Sequence, residues 1–569
     1  MLTPKVLTSA QATSDYFTKD NYYGIAGNEN ASEWWGKGAL SLQLQGQVDT
    51  ATFTALIKGQ LPNGQEMGRW NGKKREHRPG CDLTFSAPKS VSLLALFGED
   101  ERLIEAHHAA VKKTLESIEK RHSSYRVTQQ GQTRFVKGDN LTVALFLHGL
   151  SRENDPQIHT HAVVMNMVFD AKGYARALGS QTDEHLKMMG ALGFSEQIYS
   201  LKKHYGMIYR AHLAYRLRQM GYELKKTHRD GRYDIVGVSQ RLINLYSKRR
   251  EKIEAKMAEH GVTSSKAADI ATLATRPPKV VMSQKAYAKW LFDNQLKVEE
   301  ELIPVIERAC FNEQEGRIAE IENPMEHAKK AVRYAMEHLV EREAVFGEVE
   351  LEATALAYDL GKIEPHFISD AIPTLIAEGE LVLLPTTEPT ELTEYTTKDN
   401  LAMEKANIAL MQEEKKALAP LVPSTAWLGS VLDNANLTKG RREAALLILT
   451  SPDRVVGIQG YAGTGKTTML KVVKYISDDL GIVLRGVAPS AAAANQLYEG
   501  ANIPSQTLDS FFVEKGRLLT EAEAKTERTS EVWLVDESSM GSTRQFHQLL
   551  TLCVAHNSRL FLSLISTIL

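Results

Sequence analysis

Cysteine is almost missing from this chain, with three in 569 residues, at Cys81, Cys310 and Cys553. Their wide separation excludes a disulfide framework and any cysteine-based metal motif, and it fits a reducing, cytoplasmic setting. No stretch approaches the roughly 20 apolar residues a membrane span needs. The apolar ending Leu560–Leu569 is too short, and the amino terminus shows no basic-then-apolar leader. Net charge is also small, −2 from 68 basic and 70 acidic side chains. There is no internal repeat and no long low-complexity tract. What is present is length and apolar content: 569 residues at 43% hydrophobic can bury several cores.

The balanced charge hides an uneven distribution. Residues 1–300 hold 43 basic against 31 acidic side chains, net +12, and the remainder is net −14. This predicts a basic, anion-binding amino-terminal domain with a nucleic-acid partner. The local clusters are Lys73, Lys74, Arg75 and Arg78, then Lys225 with Lys226, Arg229 and Arg232, then Lys248, Arg249 and Arg250. The first is the candidate DNA contact. Trp34, Trp35 and Tyr125 either stack on unpaired bases or pack in the core.

A histidine constellation follows. The run Ala162–Phe169 is apolar and rich in β-branched residues, so His159 and His161 are expected to open a strand. Residues two apart on a strand share a face, which lets both imidazoles converge. His148 closes a similar run, Leu141–Leu147, and a short loop containing Asp155 and Pro156 allows antiparallel pairing. Three imidazoles on one sheet face make a divalent-metal site with open coordination positions.

Tyrosines supply a nucleophile for such a metal. Tyr16, Tyr22 and Tyr23 sit in the polar segment DYFTKDNYYG. A phenol is a weak nucleophile until a base or cation assists it, and a metal gripping a phosphate would polarise the bond under attack. In the alternating stretch Cys81–Ser86, Asp82, Thr84 and Ser86 share a face. Asp82 would either accept a ring N–H and fix a histidine tautomer, or take the tyrosine proton. Ala87-Pro88-Lys89-Ser90 then starts a helix, with Lys89 facing DNA or water.

The segments DYFTKDNYY, SEWWGKGA, HRPGCDLTFSAPKSVS and SRENDPQIHTHAVVMN, in this order, resemble MobF-type conjugative relaxases, the TraI and TrwC relaxase–helicases. The resemblance implies an α/β chain whose first 300 residues form an antiparallel palm-like sheet backed by helices. It implies Mg or Mn on His148, His159 and His161, Tyr16 as first nucleophile, Tyr22 or Tyr23 in the second tyrosine pair, and Asp82 as the acidic neighbour. The implied activity is nicking one strand at a plasmid transfer origin, holding the new 5′ end on tyrosine and rejoining it. Single-stranded origin DNA, a type IV coupling protein and accessory nicking proteins are the implied partners. Phe17 stands where many members carry a further tyrosine.

Far downstream, Val455–Gln459 reads as a strand, followed by G-x-x-x-x-G-K-T from Gly460 through Gly463, Gly465, Lys466 and Thr467, then a helix. Backbone N–H groups of such a loop wrap phosphates, the lysine reaches the β- and γ-phosphates, and the hydroxyl holds Mg. Asp536 and Glu537 close the strand Glu531–Val535 and are expected to bind the metal and orient water. With GVAPSAAAANQL and SQTLDSFF, this resembles the first RecA-like lobe of a RecD-type superfamily 1 helicase over 436–569, binding ATP with Mg, with a helical, winged-helix-like connector over 301–435. The resemblance would place a Gln near the start of the lobe, where Arg441 follows Gly440. It would also continue past Leu562 into a second lobe, so the expectation is ATP binding without duplex unwinding. The alternatives are a rolling-circle replication initiator, and a DNA- and nucleotide-binding remnant without enzymatic activity.

Overall fold

The computed structural model describes residues 1–19, 32–72, 74–130, 132–179, 193–261, 267, 270–271, 274–275, 284–318, 321–385, 393–461, 464–521 and 531–566. The chain divides into two compact units. One comprises Met1–Ala335, Glu348–Thr374 and Thr387–Leu392, the other Met336–Gly347, Leu375–Thr386 and Thr393–Leu569. Residues 301–435 are thus shared between them. No helix among the described residues is long and apolar enough to cross a membrane.

The first unit is built on a five-stranded antiparallel sheet. Its strands are β1 (Leu2–Leu7), β2 (Ser32–Trp35), β5 (Gly80–Ser86), β8 (Val143–Leu150) and β9 (Pro156–Met165), in the order β1-β5-β9-β8-β2. Among the described residues four small hairpins stand apart from it, including β3 (Arg69–Asn71) with β4 (Lys74–Glu76), and β6 (Ser124–Gln129) with β7 (Gln132–Lys137). The central strand β8 and the second half of β9 (Ala162–Met165) are apolar and buried on both faces, while the first half of β9 carries the polar residues Gln157, His159, Thr160 and His161.

One face packs on α1 (Ala10–Lys19), α2 (Lys37–Ser41) and α3 (Thr50–Ile57). Phe17, Trp34, Phe53, Leu56, Phe146, Val163 and Met165 form that core. The α3 helix starts where Asp49 accepts from the Thr52 N–H at 2.7 Å, satisfying one of its open first-turn donors. The other face packs on α4 (Lys89–Leu96), α5 (Arg102–His122) and the helix Lys202–Gln219. Here His107 is wholly buried, with Nδ1 2.7 Å from the Tyr209 hydroxyl and Nε2 2.8 Å from Thr160 Oγ1.

A second buried polar cluster ties the helix Glu348–Asp359 to this unit. Glu352 is 3% exposed, accepts from Arg121 Nη1 at 3.0 Å and from Ser369 Oγ at 2.6 Å, and lies 3.3 Å from His204 Nε2. Burial opposes its ionisation, but Arg121, His204 and the Ser369 bond together hold its carboxyl below the usual range.

Burial shifts several histidines of the helical layer. His122 and His212 are pushed down to about 4 by desolvation, with the Gln197 bond opposing at His122, and His107 is driven well below its usual value. These groups stay neutral in the native state and charge on unfolding below about pH 6.5. The unfolded chain then binds more protons, so their stabilising contribution is complete above that pH and is lost as pH falls toward 4. A thermal melt series from pH 7.5 to 4.5 should show a falling transition temperature, reduced in slope by His122→Phe. A flat profile over that window would refute the assignment.

The second unit is a parallel sheet of Val455–Tyr461, Arg559–Ser566, Glu531–Val535, Val483–Ala488 and Ser505–Thr507, in that spatial order. Leu449, Val473, Leu484, Leu534 and Phe561 belong to the core on one face and Phe511, Trp533, Leu549 and Leu560 to the core on the other. Glu531–Val535 is buried on both sides and reads as a near-continuous hydrophobic run, whereas the edge strand Ser505–Thr507 is polar and half-buried and Val455–Tyr461 exposes Gly457 and Gln459.

Candidate active site

The β8–β9 ladder sets the geometry of the histidines. His148 pairs directly with His159, and the register becomes irregular only between His148 and Leu150. His161 lies two residues along β9 on the same face, so the three ring centroids are 5.1–5.2 Å apart. One ligand nitrogen from each lies within 4.8 Å of the others.

Hydrogen bonds orient the rings. The Gln157 carbonyl can only accept, so His159 Nδ1, 2.8 Å away, carries the proton and leaves Nε2 as a lone-pair donor. His161 Nδ1 lies 2.9 and 3.0 Å from the two Asp82 oxygens, which likewise leaves its Nε2 free to ligate. Thr84 Oγ1 lies 3.1 Å from the same Nδ1 and 3.4 Å from the carboxylate. Burial, reinforced by the neighbouring imidazoles, drives the His148 pKa far down and brings His159 to about 4. Burial holds His148 and His159 neutral, and hydrogen bonds through Nδ1 preorient His159 and His161, as a divalent cation requires, so this donor set fits a metal.

Helix α1 brings Tyr16 and Phe17 to the cluster. The Tyr16 ring is partly buried, 4.8 Å from Phe17 and 6.1 Å from His161, edge-on to both. Phe17 is 3% exposed, stacked on Phe146 at 5.1 Å and edge-on to His161 at 5.4 Å. A tyrosine at that position would carry its hydroxyl into this apolar packing, which explains why phenylalanine suits it. Tyr22 and Tyr23 lie outside the described residues. Cys81, beside Asp82, is buried and its thiol is pushed up to about 12 by burial and the Asp82 charge, so it is no competing nucleophile.

The basic candidates separate. Lys89 turns its amine inward onto the Pro156 carbonyl at 2.7 Å, and burial lowers its pKa to about 8 against the pull of Asp155. Arg75 pairs with Glu66 and lies 5.9 Å over Trp70, whose ring is 69% exposed. Arg78 is exposed. Lys74 belongs to β4, and Lys73 lies outside the described residues. Trp34 and Tyr125 are core residues. Trp70 is an exposed aromatic within this basic stretch that sequence reasoning missed; its place between Arg69 and a run of basic residues was the available signal.

In the second unit Gly465, at φ +77°, caps the helix Lys466–Asp479, and Lys466 Nζ donates to the Gly460 carbonyl at 3.0 Å. Thr467 is exposed on the first turn. Gly463 lies outside the described residues. Asp536 follows the strand Glu531–Val535 and accepts the Glu537 N–H at 3.0 Å. Glu537 has φ +52°, a left-handed conformation uncommon for glutamate and frequent where side chains are re-aimed at functional sites.

Comparison with known proteins agrees with both units. The family model of the TrwC relaxase matches residues 8–293, and an AAA domain model matches 436–563. The multifunctional conjugation protein TraI of Escherichia coli is 39% identical over 293 residues, covering 51% of this chain and 16% of that protein. The conjugal transfer protein TraA of Agrobacterium fabrum is 28% identical over 153 residues, 26% of this chain and 13% of that protein. A solved structure of the conjugative relaxase TrwC in complex with oriT DNA, in metal-bound form, is 34% identical and covers 52% of this chain and 99% of its own, with a TM-score of 0.45. The chain spans about one sixth of the length of the TraI protein it matches. With half of its length matched by the TrwC model, and with the histidine cluster and antiparallel sheet lying inside that half, the chain belongs to the TrwC relaxase family.

Proposed function

We propose that the first unit is a metal-dependent tyrosine transesterase that nicks and rejoins one strand of DNA at a plasmid transfer origin. The observation that carries this reading is Tyr16 beside three converging imidazoles, in a chain of the relaxase family. The Tyr16 oxygen forms a bond to phosphorus as the P–O3′ bond breaks. The 5′ end stays on the tyrosine and the 3′ oxygen leaves as a hydroxyl. One phosphodiester replaces another, so rejoining needs no external energy.

His148, His159 and His161 would hold a divalent cation, Mg or Mn, whose charge polarises the scissile phosphate. Imidazole donors favour Mn over Mg. Asp82 fixes the His161 tautomer and raises its basicity. Its location favours this orienting role, since its carboxylate is already engaged by the His161 ring. The β3–β4 hairpin, with Arg75 and exposed Trp70, and Arg78 just beyond it offer charge for phosphates and a ring for bases.

The second unit, in this reading, binds ATP with Mg through Lys466, Thr467, Asp536 and Glu537. A coupling protein, accessory nicking proteins and a cytoplasmic location complete the proposal.

The test is cleavage of a labelled single-stranded origin oligonucleotide by the purified chain, with and without chelator. Covalent protein–DNA adduct in Mn or Mg and none in chelator supports the proposal, and cleavage undiminished by chelator overturns it. Asp82→Ala should weaken Mn binding by about 10- to 100-fold, measured by spin-resonance titration. An unchanged affinity would remove Asp82 from the site.

A further inference from the structure

The P-loop of the second unit carries an arginine that no motif assigns. Arg441 lies in the first turn of the helix Lys439–Thr450. Its side chain crosses to the phosphate loop, where Nε donates to the Thr464 carbonyl at 2.8 Å. A Cβ added at Gly465 would meet its Nη2, Cζ and Nε at 2.2, 2.4 and 2.7 Å. The guanidinium therefore lies against the α-carbon of the residue that caps the helix Lys466–Asp479. Its neighbour Arg442 is engaged elsewhere, by Asp433 at 2.6 Å. Among the described residues no carboxylate pairs with Arg441, so its terminal N–H groups keep donor capacity.

Position and chemistry agree on what this group recognises. A guanidinium offers five donors and no acceptor. Recognising adenine by its amino edge needs an acceptor beside a donor, as an Asn or Gln side chain provides. Phosphate oxygens, by contrast, match the planar fork. The Arg441 guanidinium sits at the amino-terminal end of the Lys466–Asp479 helix, where backbone N–H groups and Lys466 favour phosphate.

We propose that Arg441 is a phosphate-reading residue, and that this chain consequently takes nucleoside triphosphates with little regard to the base. This inference rests on the nucleotide-binding reading of the second unit.

The experiment is competition against a fluorescent ATP analogue on the full chain with Mg, using ATP, GTP, CTP, UTP and inorganic tripolyphosphate. The four nucleotides should bind within about threefold of one another, well under 1.4 kcal/mol. Arg441→Ala should weaken all four, and the base-free tripolyphosphate with them, by a common factor of about tenfold or more, as expected for lost charge-assisted bonds. Arg441→Lys, which keeps charge without the fork, should fall between. A preference for one base beyond about tenfold in the native chain, or tripolyphosphate affinity unchanged by Arg441→Ala, overturns the inference while leaving nucleotide binding intact. Failure of the native chain to bind the analogue any better than Lys466→Ala would overturn the nucleotide-binding reading as well.

Discussion

Replacing Tyr16 by phenylalanine is expected to remove the covalent protein–DNA adduct altogether. The substitution deletes one oxygen atom. The ring keeps its edge-on packing against Phe17 at 4.8 Å and His161 at 6.1 Å, so the aromatic packing that seats α1 on the histidine cluster is retained. Without the oxygen no P–O bond to this side chain can form, so the expected loss is complete rather than graded. Melting temperature, Mn affinity and noncovalent binding of the uncleaved oligonucleotide should match the parent. Denaturing gels with a labelled 3′ segment read the adduct directly. An adduct at parental yield, mapped by peptide sequencing to Tyr22 or Tyr23, would move the first nucleophile there.

The largest stability effect is expected at Glu352. Removing one partner from a buried ion-pair network leaves an uncompensated charge and costs about 3–5 kcal/mol, out of the 5–15 kcal/mol that holds a domain together. Arg121 retains Glu348 at 3.6 Å, which places Glu352→Ala at the lower end of that range. Glu352→Gln keeps the shape and a partner for Ser369 and should cost less. The pH behaviour has a definite sign. A carboxyl whose folded pKa is depressed stabilises fully above the unfolded value near 4.3 and loses that contribution as pH falls through the folded one. Urea unfolding at pH 7 should shift to lower midpoint in Glu352→Ala, with the gap to the parent narrowing on acidification. An unchanged midpoint would show that the network contributes nothing net. Because the TrwC match ends at residue 293, the experiment also asks whether the relaxase unit depends on chain well beyond it.

Much of the fold and of the candidate site was legible because it is written locally. The β8 and β9 runs, the alternation at Asp82, Thr84 and Ser86, and the strand–loop–helix at Lys466 are periodic signals over fewer than about ten residues each. The convergence of His159 and His161 follows from period-two geometry, and the antiparallel pairing of His148 with His159 adds the third imidazole. What was not legible depends on partners distant in sequence. Lys89 was read as facing DNA or water, yet it turns onto a carbonyl 67 residues away. The Arg121–Glu352 pair is separated by 231 positions and has no periodic trace. Trp34 and Tyr125 were open between stacking and core, and only the packing of α1, α3 and the β6–β7 hairpin decides where aromatic surface is left. Phe17 stands where many members carry a further tyrosine, and its role in the fold, packing edge-on against His161, has no trace in the local sequence.

The register irregularity between His148 and Leu150 governs where this domain can change length. An insertion among residues 151–155 falls beyond the ladder pair His148–His159 and lengthens only a turn, at about 0.6 kcal/mol for each doubling of the loop. One residue inserted between Phe146 and His148 sends the His148 imidazole to the opposite face of the sheet. Two residues restore the face but displace the imidazole by about 6.6 Å along the strand, more than the 5.1–5.2 Å between the rings. Length variants of the domain should therefore accumulate in the five residues after the irregularity and be absent from the strand before it.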